Sequence, residues 1–389
     1  MYGKTNIESL ILKTGDELLC YKDSIVISFK GKRKVLSTSS YNGGYSEDLT
    51  AVYNHDLSLN KTKPCNLIAK NYNEYMRNIS LFLGLNPEKV SGMGTTAQMK
   101  NASVISMSYE KLTVSAIVTG GIETNAGRAG DAAEFCQTCE KPLHGTINIM
   151  LVIDADMSKG AVTRALVTCT EAKTAALQEL MADSRFSNGL ATGTGTDQTI
   201  IVVNANSPDY YESAGKHSKI GELIGKTVIT AVKEAISKQG QRTFESEHNL
   251  MRRIRRFGVT EESVFLKYKE LNENLSVSEN KFYEILKQTA SLPFVFTYGI
   301  LYIHLIDEYL WKLTNINETR QTASEIIKIL SQKLKITEEI PNSQIIESMK
   351  EIEYLLVLAV KNKIKKLQSE NKKFVRTKIH DKPNEMRCE

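Results

Sequence analysis

Residues 145–204 constrain the fold of this chain more than any other stretch. An apolar run from Thr146 to Asp154 leads through an alanine-rich segment, Met157 to Ala182, into a second β-branched run ending at Val203. Uncharged runs of strand length on either side of a segment of helical period predict strand, helix, strand. Polar residues gather at the joints: Asn148, Asp154 and Asp156, then Thr192, Thr194, Thr196 and Asp197. Polar chemistry at the turns of a buried scaffold is the usual layout of a site. If the strands at 146–153 and 198–203 are parallel neighbours, their connection is right-handed. Asp154, ending one strand, then lies at the opposite sheet edge from Asp197, which begins the other. Antiparallel pairing would put the two carboxylates together, and antiparallel or non-adjacent strands are the expectation.

At 100° per residue, Val162, Leu166, Cys169, Ala176 and Leu180 share one face of the middle helix with Lys173, opposite Arg164, Val167, Glu171 and Ala175. Apolar residues all round predict a buried helix, where a charge is costly unless paired. Glu171 and Lys173 are two apart and point away from each other. Each therefore needs a partner on another element, as one of two internal salt bridges or as the lining of a pocket.

Upstream, residues 24–38 alternate around Gly31-Lys-Arg-Lys34, which predicts a β-hairpin. A helix is expected over 66–85, stopped by Gly84 and Pro87. Ser91 to Ala97 reads as a flexible turn carrying Thr95 and Thr96, followed by paired strands at 102–108 and 112–119. A threonine nucleophile of the self-processing kind could sit in that turn. Gly120 to Gly130 holds four glycines in 11 residues, and such backbone can approach a ligand closely. It is a surface turn or a site wall. Cys136-Gln-Thr-Cys139 with His144 lacks the second ligand pair that structural zinc needs, so it reads as reduced cysteines in a loop, with no metal.

Downstream, a helix over 217–238 buries Ile220, Leu223, Ile224, Val228, Ala231, Val232, Ala235 and Ile236, with Ser218 as its N-cap. His217 at its mouth would be held neutral by the helix dipole, as a general base or simply as a neighbour of the cap. From Gln239 the strand runs vanish, and helices are expected near 245–256, 261–272, 279–289, 293–313, 322–334 and 343–366. Arg252-Arg-Ile-Arg-Arg256 reads as a solvated basic helix end, and the tail from Gln368 as frayed. Gln288 to Ile306 has no Asp, Glu, Lys or Arg but falls short of the roughly 20 apolar residues of a membrane span, so it reads as a buried helix.

With about 150 residues per domain as a guide, the expected division is 1–238 and 239–389. The first is an α+β or α/β domain with a central mixed β-sheet flanked by helices at about 66–85, 157–182 and 217–238; the second is all-α. A net charge of +5 over 389 residues argues against a nucleic-acid partner. Six cysteines and a start without a basic and apolar leader fit a reducing cytoplasm.

Five motifs occur in order: Asn125-Ala-Gly-Arg-Ala-Gly130, Gly145-Thr-Ile-Asn-Ile149, Thr170-Glu-Ala-Lys-Thr-Ala-Ala-Leu177, Ala191-Thr-Gly-Thr-Gly-Thr-Asp197 and Gly215-Lys-His-Ser-Lys-Ile-Gly-Glu-Leu223. In that order and spacing, residues from about 10 to 238 resemble the adenosylcobinamide amidohydrolase family. The resemblance implies hydrolysis of the amide between the aminopropanol arm and the corrin ring of adenosylcobinamide, giving adenosylcobyric acid and aminopropanol. The corrinoid, cobalt included, would be substrate, and no cofactor is implied. The helical part beyond 238 departs from the family pattern.

Amide hydrolysis needs a nucleophile, a base, an acid for the leaving amine and donors for the oxyanion. The motifs offer Asp197 and His217 as first choice for acid–base work, Glu171 as alternate, and the hydroxyl of Thr194 or Thr196 as nucleophile in place of water. The backbone of Gly193, Thr194, Gly195 and Thr196, or the side chain of Asn125 or Asn148, could hold the oxyanion. Lys173 and Arg128 could meet carboxylate or amide oxygens on the corrin rim. Outside enzymology, the alternative is a corrinoid-binding protein without hydrolysis, its helical region docking a partner. The Gly-Thr-Gly-Thr loop is no phosphate-binding P-loop, since it lacks the Gly-Lys-Ser/Thr ending and precedes a strand.

Overall fold

A computed structural model describes residues 6–58, 69, 71–132, 145–240, 244–271, 277–340 and 349–380. The chain divides into two compact units, Met1–Thr243 and Phe244–Glu389.

The strands of the first unit begin with β1 (Asn6–Ile11), β2 (Glu17–Tyr21), β3 (Ser24–Ser28), β4 (Arg33–Ser37), β5 (Gly44–Ser46), β6 (Ala51–Asp56) and β7 (Val90–Thr95). They continue with β8 (Ser103–Tyr109), β9 (Leu112–Gly120), β10 (Ala126–Gly127), β11 (Ile147–Ile153), β12 (Asp156–Met157), β13 (Gly193–Thr194), β14 (Gln198–Asn204) and β15 (Tyr210–Tyr211). Its helices are α1 (Tyr72–Phe82), α2 (Lys159–Glu179) and α3 (Lys219–Gly240).

Mixed sheets flanked by helices are present, as expected, but the strands form two large sheets where one was anticipated. Five strands run in the order β1-β2-β3-β6-β7, and six in the order β5-β4-β14-β11-β9-β8. Alternation along each strand makes the layers. Met150, Val152, Ile200, Val202 and Ile117 of the six-stranded sheet pack against Ile25, Ile27, Val52 and Met93 of the other. Ile149, Leu151, Ile153, Ile201 and Val203 point the opposite way, onto α2 and α3. Met76 and Ile79 of α1 cover Val26 and Tyr53 on the outer face of the five-stranded sheet. With both faces of β11 and β14 covered, their near-continuous apolar sequence is what burial requires.

Several expectations are corrected. The strands β11 and β14 are adjacent and parallel, with Asn148 opposite Gln198 and Ile153 opposite Val203. Asp197 and Asp154 therefore lie at opposite ends of the pair, and Asp154 accepts a hydrogen bond from Asn204 at 2.8 Å. The 24–38 region is two strands but no hairpin: β3 pairs with β2 and β6, whereas β4 pairs with β14 and β5. Arg33 marks the crossing, donating to Asp16 through Nε and Nη2 and to Asn204 Oδ1 at 2.9 Å. Residues 91–95 are the buried strand β7, parallel to β6, and no flexible turn. Gly92 is there because a Cβ would lie 2.2 Å from the Tyr53 ring. Finally, α2 is buried along one face only: Val167 is 40% exposed, and Glu171 is also exposed.

The hairpin β8–β9, the Ser158 cap of α2 (accepting from Ala161 N at 3.1 Å) and the Ser218 cap of α3 (accepting from Gly221 N at 3.2 Å) give regular element ends.

The second unit is helical: α4 (Phe244–Glu247), α5 (Leu250–Ile254), α6 (Glu261–Glu270), α7 (Glu279–Ala290), α8 (Pro293–Leu310), α9 (Ile316–Leu334) and α10 (Met349–His380). Its core joins Leu250, Phe282, Tyr302, Ile303, Leu355 and Leu356. The Arg252–Arg256 run is not simply solvated. Arg256 is buried against Asp307 at 2.5 Å, and Arg252 pairs with Glu247 at 3.1 Å. The tail is helical as far as His380. Among the described residues no single helix is long and apolar enough to cross a membrane, although α7 and α8, bent by 76° at their break, pass on length and composition together.

Candidate active site

The parallel pairing decides where the polar turns meet. From its cap at Ser158, α2 runs back over the sheet, which carries Lys173 to the start of β14. There the antiparallel contact of β10 with β13 sets Ala126 opposite Thr194 and Gly127 opposite Gly193. The glycine-rich loop after β9 thus becomes one wall of a cavity of about 550 Å³, with Thr170, Lys173 and Thr174 of α2, Phe186 and residues 192–195 as the others.

Asp197 is the hub. Its Oδ1 accepts from Ile147 N at 2.8 Å and from Thr194 Oγ1 at 2.5 Å; its Oδ2 accepts from Thr194 N at 3.0 Å and from the Lys173 ammonium. A carboxylate has about four lone-pair sites, and all are taken. The Lys173–Asp197 pair is mostly buried, with side chains 12% and 10% exposed. Gly193 makes room for it, since a Cβ there would lie 2.5 Å from Asp197 Oδ2 and 2.8 Å from Lys173 Nζ.

Asn125 is fully buried beside this hub. Its Nδ2 donates to Gly145 O at 2.9 Å and to Thr196 Oγ1 at 3.3 Å, leaving Oδ1 without a partner among the described residues. Because Gly145 O can only accept, the amide orientation is fixed, and Asn125 has no donor to spare for an oxyanion. Gly145 itself needs φ of +106°, a conformation that favours glycine.

Asn148 is elsewhere. Its Nδ2 donates to Asn54 Oδ1 at 2.8 Å and Gly94 O at 3.0 Å, in a polar cluster between the two sheets that also includes Thr119. Thr196 is exposed and donates to Gly145 O at 2.9 Å. Arg128 is an exposed wall residue whose Nη1 donates to Leu190 O at 3.3 Å. Gly195 is also exposed on the cavity wall.

The structure does not bring His217 or Glu171 to this hub. Glu171 faces outward and pairs with Lys216 at 2.9 Å, both about half exposed. His217 is exposed before α3. Lys219, two residues on, lies 4.6 Å over the Tyr109 ring, and Tyr109 pairs with Leu112, at the opposite end of β9 from Gly120. Gly120 is the residue beside Ile147 at the Asp197 end. Glu171 and Lys173 thus each have a separate partner, and it is Lys173 that faces the cavity.

Sequence reasoning missed Thr170, Thr174, Phe186 and Asp131 in the cavity wall. Phe186 is 43% exposed in an otherwise polar loop, and a lone aromatic in such a loop was the available signal. Burial raises the pKa of Asp131, but hydrogen bonds from Ser184, Ser187 and Arg128 N outweigh it, so the carboxyl ends below its ordinary value. Cys136, Cys139 and His144 lie outside the described residues, and among those described no cluster of three or more His, Cys, Asp or Glu could hold a metal ion.

The family model described as adenosylcobinamide amidohydrolase matches residues 10–244. A protein of Methanocaldococcus jannaschii, named only as uncharacterized, is 35% identical over 230 residues, 56% of this chain and 86% of its own. A protein of Methanosarcina mazei named adenosylcobinamide amidohydrolase is 30% identical over 158 residues, 39% of this chain and 68% of its own. The match stops near the boundary between the two units.

Proposed function

The chain belongs to the adenosylcobinamide amidohydrolase family, and we propose that it hydrolyses the amide joining the aminopropanol arm to the corrin ring, releasing adenosylcobyric acid and aminopropanol. The observation that carries the mechanism is the 2.5 Å hydrogen bond from Thr194 Oγ1 to an Asp197 carboxylate that also holds Lys173.

With its four acceptor sites filled, Asp197 has no position for a water but is already aligned on one hydroxyl. Thr194 Oγ1 is therefore the nucleophile. It attacks the amide carbon as its proton passes to Asp197 Oδ1. Lys173, with one N–H on Asp197 and two to spare, stabilises the oxyanion. Collapse breaks the C–N bond, and the proton on Asp197 goes to the leaving amine. Water then cleaves the threonyl ester, giving the corrinoid acid and restoring Thr194. Cobalt enters as part of the corrinoid and is substrate. The predominantly apolar wall containing Phe186 suits the macrocycle.

Incubation of purified protein with adenosylcobinamide, followed by detection of adenosylcobyric acid, tests the activity. Thr194→Val is expected to lower kcat at least about 1,000-fold, with Thr194→Ser retaining part of it and hydroxylamine trapping the acyl enzyme. Near-normal turnover by Thr194→Val would remove the nucleophile assignment.

A further inference from the structure

The turn that carries Thr194 has a second cavity on its other side. This one is about 240 Å³, and Ser40, Thr95, Thr96, Thr146, Thr196 and Gln198 are among its walls. The large cavity is lined by Arg128, Asp131 and Lys173 as well as apolar atoms, whereas the small one has, among the described residues, hydroxyl and amide groups and no charged side chain.

The two are joined through a short hydrogen-bonded chain. Gly195 faces the large cavity and Thr196 the small one. Thr196 Oγ1 receives from Asn125 Nδ2, a large-cavity residue, and donates to Gly145 O; Gly145 N in turn donates to Thr96 Oγ1 at 3.3 Å. Thr196 N lies 3.4 Å from Thr194 Oγ1, so the nucleophile stands at the divide.

The substrate class has the same two-part shape: a large macrocycle and a small hydroxylated chain, joined by the amide that is cut. Resting on the amidohydrolase reading above, we propose that the small cavity is the subsite for the amino-alcohol arm in its uncharged, unphosphorylated form, with the scissile amide crossing the Thr194–Thr196 turn. A hydroxyl finds donors and acceptors there. A phosphate ester would enter a site whose wall, among the described residues, holds no lysine or arginine, at an unrepaid desolvation cost.

Ser40 is exposed on the cavity wall, so Ser40→Trp fills the space without touching Lys173, Thr194 or Asp197. Three probes are compared on wild-type protein and on this variant: adenosylcobinamide, its O-phosphorylated form, and adenosylcobyric acid, which lacks the arm. Wild-type protein is expected to bind the phosphorylated form at least about tenfold more weakly than adenosylcobinamide. Ser40→Trp should weaken adenosylcobinamide by about tenfold or more and leave adenosylcobyric acid unchanged, which also reports an intact fold. Equal effects on the armed and armless corrinoids, or no effect on either, overturn the subsite. If wild-type protein binds these corrinoids but cuts none, the hydrolytic reading fails while the affinity comparison still decides the subsite.

Discussion

Gly193→Ala tests the site most sharply, because it adds one methyl group to the back of the ion pair. The new Cβ would stand 2.5 Å from Asp197 Oδ2 and 2.8 Å from Lys173 Nζ, roughly 1 Å inside ordinary van der Waals contact. The carboxylate, the nearer of the two, cannot yield freely. Asp197 is held by Ile147 N, Thr194 N and Thr194 Oγ1, so displacing it by that amount breaks or stretches these bonds together. A misplacement of about 1 Å in a catalytic group costs on the order of 100-fold in rate, and forcing a methyl group into packed surroundings costs about 1–3 kcal/mol. The assay is steady-state kcat and KM on adenosylcobinamide, paired with urea unfolding. The expected result is a kcat lower by about two orders of magnitude in a protein that is still folded at 25 °C. Gly195→Ala is the comparison, since the nearest atom to its Cβ would be Asn125 Oδ1, at 3.3 Å. Near-wild-type kcat for Gly193→Ala would refute the view that this pair must keep its present geometry.

Other outcomes follow from the same geometry. Lys173→Met should lower kcat by about 100- to 1,000-fold, whereas His217→Ala and Glu171→Gln should stay within about threefold of wild type; a large loss in either would reinstate those residues. Asp16→Ala strands the buried Arg33 guanidinium and should cost about 3–5 kcal/mol by urea unfolding. Burial pushes the His55 imidazole from its ordinary 6.5 down to about 4, against a smaller opposing hydrogen bond to the Asp23 backbone. The unfolded chain therefore takes up a proton as the pH falls through 6.5, while the folded one resists until about 4. Stability is lost across that window, by at most about 3 kcal/mol. His55→Gln should flatten the difference in urea midpoint between pH 7 and pH 4, and an unchanged slope would rule this out. A chain ending at residue 243 should keep hydrolytic activity, because residues before 244 line both cavities; loss of turnover in a folded protein of that length would give the helical unit a role in the reaction.

Periodicity located the scaffold well because burial writes itself into sequence. The elements β11, α2, β14 and α3, and the hairpin β8–β9, lie within a few residues of their expected places. Pairing was another matter. The antiparallel expectation for β11 and β14 came from wanting Asp154 beside Asp197, and nothing in either strand's own residues carries its direction. Once the strands are parallel, α2 must travel back over the sheet, and that return is what brings Lys173 to a residue 24 positions away. The glycines at 92 and 94 looked like freedom and turned out to be clearance, for the Tyr53 ring and for Leu57 and Tyr72. His217 attracted attention through the chemistry of helix mouths, a local property, but its distance from Asp197 is set by the far end of β9. Thr194 and Asp197 were legible because three residues suffice to close their turn. Phe186 was not, since long-range bonds, from Arg185 N to Ala126 O and from Ser184 Oγ to Asp131, bring its loop to the cavity.

The direction of β11 and β14 also fixes the electrical character of the site. Open parallel sheets generally bind their ligands beyond the carboxyl ends of the strands, where returning helices begin and their N–H groups attract anions. In this protein Asp197 lies at the amino ends of both strands, so α2 and α3 terminate on that side instead. Gln239, in the last turn of α3, takes a hydrogen bond from Asn101 near that same edge. Helix ends of that polarity favour positive charge. Among the described residues, neither α2 nor α3 turns its amino terminus toward Asp197, so on that side an anionic group would be met by side chains such as Lys173.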